Sequence, residues 1–250
     1  MASREDKPTY EELSRALAES EKAYRELSVL AYSFVHDLRA PVRNITGFAQ
    51  ILLDEHAGRL TEEGKGYLRR MRAAGRNMSD LLEALLKLVS LARGEVRRAD
   101  VDLSAAAAFV AARLHRADPA RQVEFAIQPG VKAPGDPDLL DELLENLIGN
   151  AWKFTSRHPQ ARIEFGIAEH DGMPAFFVRD DGAGFDPSTA GKLFTPFQRM
   201  HGEAEFPGIG AGLAVVQSIV RLHHGRVAAQ GAVEKGATFF FTLWTEHSDS

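Results

Sequence analysis

The chain has 250 residues, 44% hydrophobic and 26% charged, a balance that suits a folded globular protein and excludes a disordered or collagen-like chain. Lys and Arg number 30 against 35 Asp and Glu, so the net charge of -5 leaves no basic surplus to neutralise a nucleic-acid backbone. The chain has no cysteine, hence no disulfide and no thiolate metal site, which fits a reducing, cytoplasmic setting; the charged start MASREDKP is no secretory signal, and no stretch is long and apolar enough to span a bilayer.

A heptad stripe begins at Leu13 and runs through Leu17, Ser20, Tyr24, Leu27, Ala31, Phe34, Leu38, Pro41, Ile45, Phe48 and Leu52, broken only at Ser20 and Pro41. Sustained over several heptads, it predicts a long helix packed on partner helices, with a bend where Pro41 deprives the Asp37 carbonyl of its donor. A second stripe follows at Met71, Ala74, Met78, Leu81, Leu85, Leu88 and Ala92, and the short DEHAGRL between the two closes a helical hairpin. Two helices cannot cover both apolar seams, so a four-helix bundle made by a homodimer is expected. Counting Ala31 as a and Phe34 as d puts His36 at f, facing outward, with Asp37 beside it to orient an imidazole. By itself such a histidine is an ordinary surface residue.

GEVRRADVD reads as a polar linker. Beyond it helices and strands alternate: helix 103–115, strand 122–127, helix 137–154, strands 162–168 and 175–179, helix 212–223, strands 226–229 and 238–243. Adjacent strands without an intervening helix predict a mixed sheet with helices gathered on one face, an α/β sandwich.

Asp136 and Pro137 suit the cap and first position of the helix at 137–154. Leu140, Leu143, Leu144, Leu147 and Ala151 form its apolar face, while Glu142, Asn146, Asn150 and Lys153 make a separate polar stripe that can serve a hydrated Mg²⁺ and its phosphates, or equally be a solvated face. Asp180 ends a strand and opens DDGAG, where Gly182 and Gly184 leave room for a planar ligand and a carboxylate can accept from an exocyclic amine. Gly208, Gly210 and Gly212 open an apolar helix whose N-terminus favours phosphate. Singly these are weak signals; their order strengthens them. The remaining histidines, including His223 and His224, lack metal-ligand spacing.

NLIGNAWKF, DDGAG, FTPFQRM, GIGAG and GATFFFTL resemble, in order, the motifs of the ATPase domain of sensor histidine kinases, and FVHDLRAPVRNITGF resembles their phosphoacceptor motif. The wording of FQRMHGEAEFPGIGAGLAVVQSIV is similar to kinase cores of phytochrome type. The resemblance implies a signalling coiled coil over 1–24, a dimerisation and histidine-phosphotransfer hairpin over 25–95, a linker over 96–102 and a catalytic ATP-binding domain over 103–250. It implies His36 as phosphoacceptor with Asp37 as its catalytic neighbour, Asn146, Asn150 and Lys153 at the phosphates with Asn150 on Mg²⁺, and Asp180 on adenine. Gly182, Gly184, Gly208, Gly210, Gly212 and Leu213 would belong to the nucleotide loops, Thr238 to the adenine pocket. Residues 186–211 would form a mobile lid, with Phe194 and Phe197 steadying it against the phosphoacceptor helix. ATP and Mg²⁺ are the implied cofactors, a response-regulator receiver domain the implied partner, and an upstream sensor domain is expected outside this chain. Ala40 stands where Thr or Asn would orient a water for dephosphorylation, which implies weak or absent phosphatase activity by that route. Three other readings stay open: an ATPase of the gyrase and chaperone type, although those carry a glutamate base where Asn146 stands and lack a phosphoacceptor hairpin; a protein-binding scaffold with a degenerate ATP site; and a purely structural coiled coil with an inert appended domain, which leaves the glycine loops unexplained.

Overall fold

The computed structural model describes residues 9–91, 96–198, 205–206 and 208–244. The chain divides into two compact units, residues 1–90 and 91–250, and each is described by itself.

The first unit is a helical hairpin. Helix α1 (Tyr10–Glu55) runs without interruption through Pro41; a single 3-10 turn at Ala57–Arg59 leads to α2 (Glu62–Leu91). Leu13 and Leu17, where the predicted heptad begins, have side chains outside the described set. The helices run antiparallel: the Tyr24 hydroxyl donates to the Val89 carbonyl at 2.9 Å near one end, and Arg72 donates to Gln50 near the other. Gly75 lets the helices approach, because a Cβ there would collide with the Thr46 side chain.

The buried seam differs from the stripe read in the sequence. Ser28, Val35, Val42 and Ala49 are covered in α1, and Gly75 and Leu82 in α2, one position beyond the predicted residues in each helix. Val35 is 1% exposed, whereas Phe34 is 63% and Phe48 66% exposed. The physical reason is the width of the apolar face: the heptad residues and their neighbours make two adjoining stripes, and the hairpin covers only one.

The second unit is an α/β sandwich. Its strands are β1 (Ala99–Asp102), β2 (Gln122–Ile127), β3 (Lys132–Gly135), β4 (Gln160–His170), β5 (Met173–Asp180), β6 (Val227–Gly231) and β7 (Ala237–Phe241). Its helices are α3 (Leu103–Ala117), α4 (Pro137–Phe154) and α5 (Gly212–Leu222). The main sheet has the order β2-β4-β5-β7-β6, with β2 and β4 parallel and every other pair antiparallel, a mixed sheet as expected. The predicted linker is corrected in part: residues 99–102 are strand β1, paired antiparallel with β3, and Asp102 caps α3 by accepting from the Ala105 amide at 2.9 Å. Four residues with one buried side chain carry too little apolar pattern to announce a strand.

Register sorts the two faces of the sheet. Phe165, Val178 and Phe239 lie in one cross-strand row, and Ile163, Asp180 and Ala237 in another, all on the face that the helices cover. Glu164, Arg179 and Thr238 form a row on the opposite face, joined by the Arg179 and Arg162 guanidinium groups. On α4, Leu140, Leu143, Leu144 and Leu147 are fully buried, each worth roughly 1.5–3 kcal/mol of burial. Asp136 caps this helix, its Oδ1 accepting from the Asp138 and Leu139 amides.

Candidate active site

Helix α4 supplies one wall of a cavity of about 280 Å³, just under the usual span of small-ligand sites, roughly 300–1,000 Å³. Asn146, Asn150 and Lys153 recur at spacings of four and three, so one helix face delivers all three into it. The sheet supplies the floor through Asp180, Ala237 and Phe239, and the segment from Gly208 to Leu213 closes the side.

Asp180 is 5% exposed, and burial pushes its carboxyl up to about 6, opposed by the backbone amides of Gly182 and Ala237. The Gly182 amide donates to its Oδ1 at 2.9 Å. A buried carboxylate at a cavity floor, with acceptor capacity left over, is matched to a ligand that brings an N–H donor.

The glycines of DDGAG owe their presence to the protein's own backbone. A Cβ on Gly182 would lie 2.5 Å from the Phe154 carbonyl oxygen, and Gly182 is not part of the cavity wall. Gly184 does line the cavity, but its constraint is a φ of +62° and contact with the Ala232 carbonyl. Space for a planar ligand was the reason expected from the sequence; packing of the loop on α4 and on the β6–β7 turn is the reason found.

Helix α5 starts at Gly212 with no side-chain cap, leaving its first amides at the cavity edge, a setting that favours an anion. A Cβ on Gly212 would lie 2.6 Å from Asn146 Oδ1, so glycine lets α5 begin against α4. Asn146 Nδ2 donates to the Glu142 carbonyl at 2.9 Å. Gly208 and Gly210 take φ of +132° and +74°, and a Cβ on Gly208 would stand 3.4 Å from Lys153 Nζ. Lys153 lies over the Phe154 ring, 4.2 Å from its centroid.

Thr238 is corrected. It sits on the opposite face of the sheet, its hydroxyl accepting from Arg179 at 3.2 Å, while its neighbours Ala237 and Phe239 face the cavity. A one-residue offset in a strand exchanges faces.

Several lining residues escaped the sequence reading. Leu193 and Phe206 cover the cavity from the segment between DDGAG and α5, Phe206 meeting the Phe154 ring edge-on at 5.0 Å. Their signal was apolarity inside a glycine-rich stretch. Phe197, at φ +63°, donates its amide to the Gly210 carbonyl at 3.0 Å. The expected lid over 186–211 falls partly outside the described residues, since 199–204 and 207 are not among them.

In the hairpin unit the His36 side chain is 88% exposed, with Nδ1 3.2 Å from Asp37 Oδ1, so its Nε2 is open to solvent. Among the described residues no group of three His, Asp or Glu side chains can hold a metal, and no helix is long and apolar enough to cross a membrane.

Residues 26–94 match the His Kinase A (phospho-acceptor) domain and residues 135–247 the histidine kinase-, DNA gyrase B-, and HSP90-like ATPase. The chain is 29% identical to cyanobacterial phytochrome B of Nostoc sp. over 238 residues, which is 93% of this chain and 31% of that one. It is 28% identical to the methanogenesis regulatory histidine kinase FilI of Methanothrix harundinacea, across 94% of this chain and 26% of that protein. The chain thus spans about a third or less of the length of these relatives. Full-length ShkA, solved in complex with AMPPNP, superimposes with a TM-score of 0.60 at 26% identity, covering 85% of this chain and 44% of that one. With a phosphoacceptor domain preceding an ATPase domain, and relatives that include phytochrome-type kinases, the chain belongs to the histidine kinases as a sensor-kinase core.

Proposed function

We propose that the second unit binds ATP, that His36 takes the γ-phosphoryl group, and that phosphohistidine then passes it to an aspartate of a separate receiver domain. The single observation that carries this reading is the meeting of Asp180, Asn150 and Lys153 around one cavity. In this reading Asp180 accepts from the adenine amino group, Lys153 and the uncapped start of α5 take phosphate charge, and the apolar cover of Leu193 and Phe206 excludes water. Asn150, with Asn146, would offer neutral amide oxygens to Mg²⁺, and phosphates and water would fill its other positions. The ion would supply charge neutralisation at the phosphates.

His36 Nε2 attacks the γ-phosphorus in line. The N–P bond forms as the bond to the β,γ-bridging oxygen breaks, and ADP leaves with that electron pair. Asp37 keeps the Nδ1 proton directed toward itself and takes it as the ring gains positive charge. An aspartate carboxylate of the receiver then attacks phosphorus as Asp37 returns the proton to Nδ1, and neutral imidazole leaves with the N–P electron pair on Nε2. Two copies joined through the exposed heptad stripe of the hairpin would form the working homodimer.

The experiment is incubation with γ-labelled ATP, comparing the parent with His36→Ala. Acid-labile, base-stable label on the parent alone is the expected outcome. Free labelled phosphate with no labelled protein would instead mark an ATPase, and absence of nucleotide binding a scaffold.

A further inference from the structure

The last turn of α4 carries Asn150 and Lys153, and it is the negative end of that helix. A triphosphate placed there faces an unfavourable dipole. The turn is also where orphan carbonyls must find donors. Ala151 is served by Thr155, whose amide and hydroxyl both donate to its carbonyl. Phe154 is served by the Ala183 amide at 3.1 Å, which ties the loop after Asp180 to the helix end. The Trp152 carbonyl accepts from the Thr155 hydroxyl and the Lys153 carbonyl from the Ser156 amide, each at 3.1 Å, and a further brace comes from Arg121, the residue before β2. Its Nη1 donates to the Trp152 carbonyl at 2.7 Å, its Nη2 to Thr155 Oγ1 at 3.1 Å, and its guanidinium lies 4.1 Å from the centroid of the Trp152 ring. The other support of Trp152 is Phe125 of β2, stacked within 5° of parallel. Arg121 is half-buried, and desolvation pulls its pKa down.

We propose that Arg121 is a positioning residue for the phosphate end of the nucleotide. Its forked hydrogen bonds lock the last turn of α4, fixing Asn150 and Lys153 relative to Asp180, and its cation offsets the helix C-terminus beside which the phosphates lie. Arg121 does not line the cavity. Its influence therefore falls on phosphate affinity and spares the adenine end, which Asp180 governs from the sheet. The inference rests on the nucleotide reading given above.

The test is calorimetric binding of ATP and of adenosine to the whole chain, with Mg²⁺, for the parent, Arg121→Ala and Arg121→Lys. Arg121→Ala should weaken ATP binding roughly tenfold, the size of a favourable helix-terminus charge, and leave adenosine binding unchanged. Arg121→Lys should recover only part of the loss, because an ammonium neither forks nor stacks. Adenosine binding serves as the control for folding, and should Arg121→Ala not fold, Arg121→Lys carries the same comparison. Equal losses for both ligands, an unchanged ATP affinity, or full recovery by lysine would overturn the proposal while ATP binding by the parent stands. A parent that binds no ATP would overturn the functional reading and this proposal with it.

Discussion

In the ATPase unit the apolar face of α4 is covered by the chain's own elements, and Leu140, Leu143, Leu144 and Leu147 reach zero exposure. In the hairpin the heptad residues Leu27, Phe34, Ile45 and Phe48 stay largely exposed, and only the neighbouring stripe is covered. The periodicity is equally strong in both. What differs is who supplies the cover, and periodicity reports only that a face needs one.

The contrast can be broken most forcefully by paired substitutions. Leu147→Ala should destabilise the second unit by about 2–5 kcal/mol at any protein concentration, read from denaturant unfolding. Phe48→Glu should leave that transition alone and shift the chain toward single copies in sedimentation. An unchanged mass in a parent that does assemble would remove the exposed stripe as the assembly surface.

Asp180 sharpens the same contrast from inside the closed core, where a charge is kept at a cost. A pKa raised from 3.8 to about 6 by burial corresponds to roughly 3 kcal/mol against the ligand-free fold at neutral pH. Because the folded state holds the proton more tightly, the cost is absent below pH 3.8, grows as pH rises through about 6, and is constant above. Asp180→Asn should therefore melt several degrees higher than the parent at pH 7, with the gap closing toward pH 4, and should lose nucleotide binding. Equal melting temperatures at pH 7 would refute the stored cost.

The smallest expected effect is at His223, which is fully buried with Nε2 accepting from the Asp136 amide at 3.0 Å and Nδ1 donating to the Ile219 carbonyl at 2.8 Å. Burial lowers its pKa below 6.5, so the unfolded chain takes the proton first. The stabilisation is complete above pH 6.5 and falls as pH drops below it. In the Asp180→Asn background the melting temperature should decline between pH 7 and 5; a flat profile would show the imidazole to be indifferent.

The alternating elements of the second unit were legible because each pairs a period with a punctuating residue: Asp136 and Pro137 start α4 at the predicted position. Strands β1 and β3 were not, since each has four residues and Pro134 stands in β3. The polar stripe of α4 was legible from spacing alone. Thr238 was misplaced because the motif gives no sign of which side of β7 faces in, a matter decided by pairing with β5. Arg121 had no signal, since its role arises from a contact with Trp152 that sequence separation hides.

The two helices of the hairpin are pinned at Thr46 against Gly75 and again where Tyr24 reaches Val89. His36 and Pro41 lie on the span between those pins. A rotation imposed on the leading end of α1 would have to pass the Tyr24 contact and carry the covered Ser28, Val35 and Val42 with it before it reached Thr46. The proposed phosphoacceptor rides on that packed stretch with its own side chain turned outward.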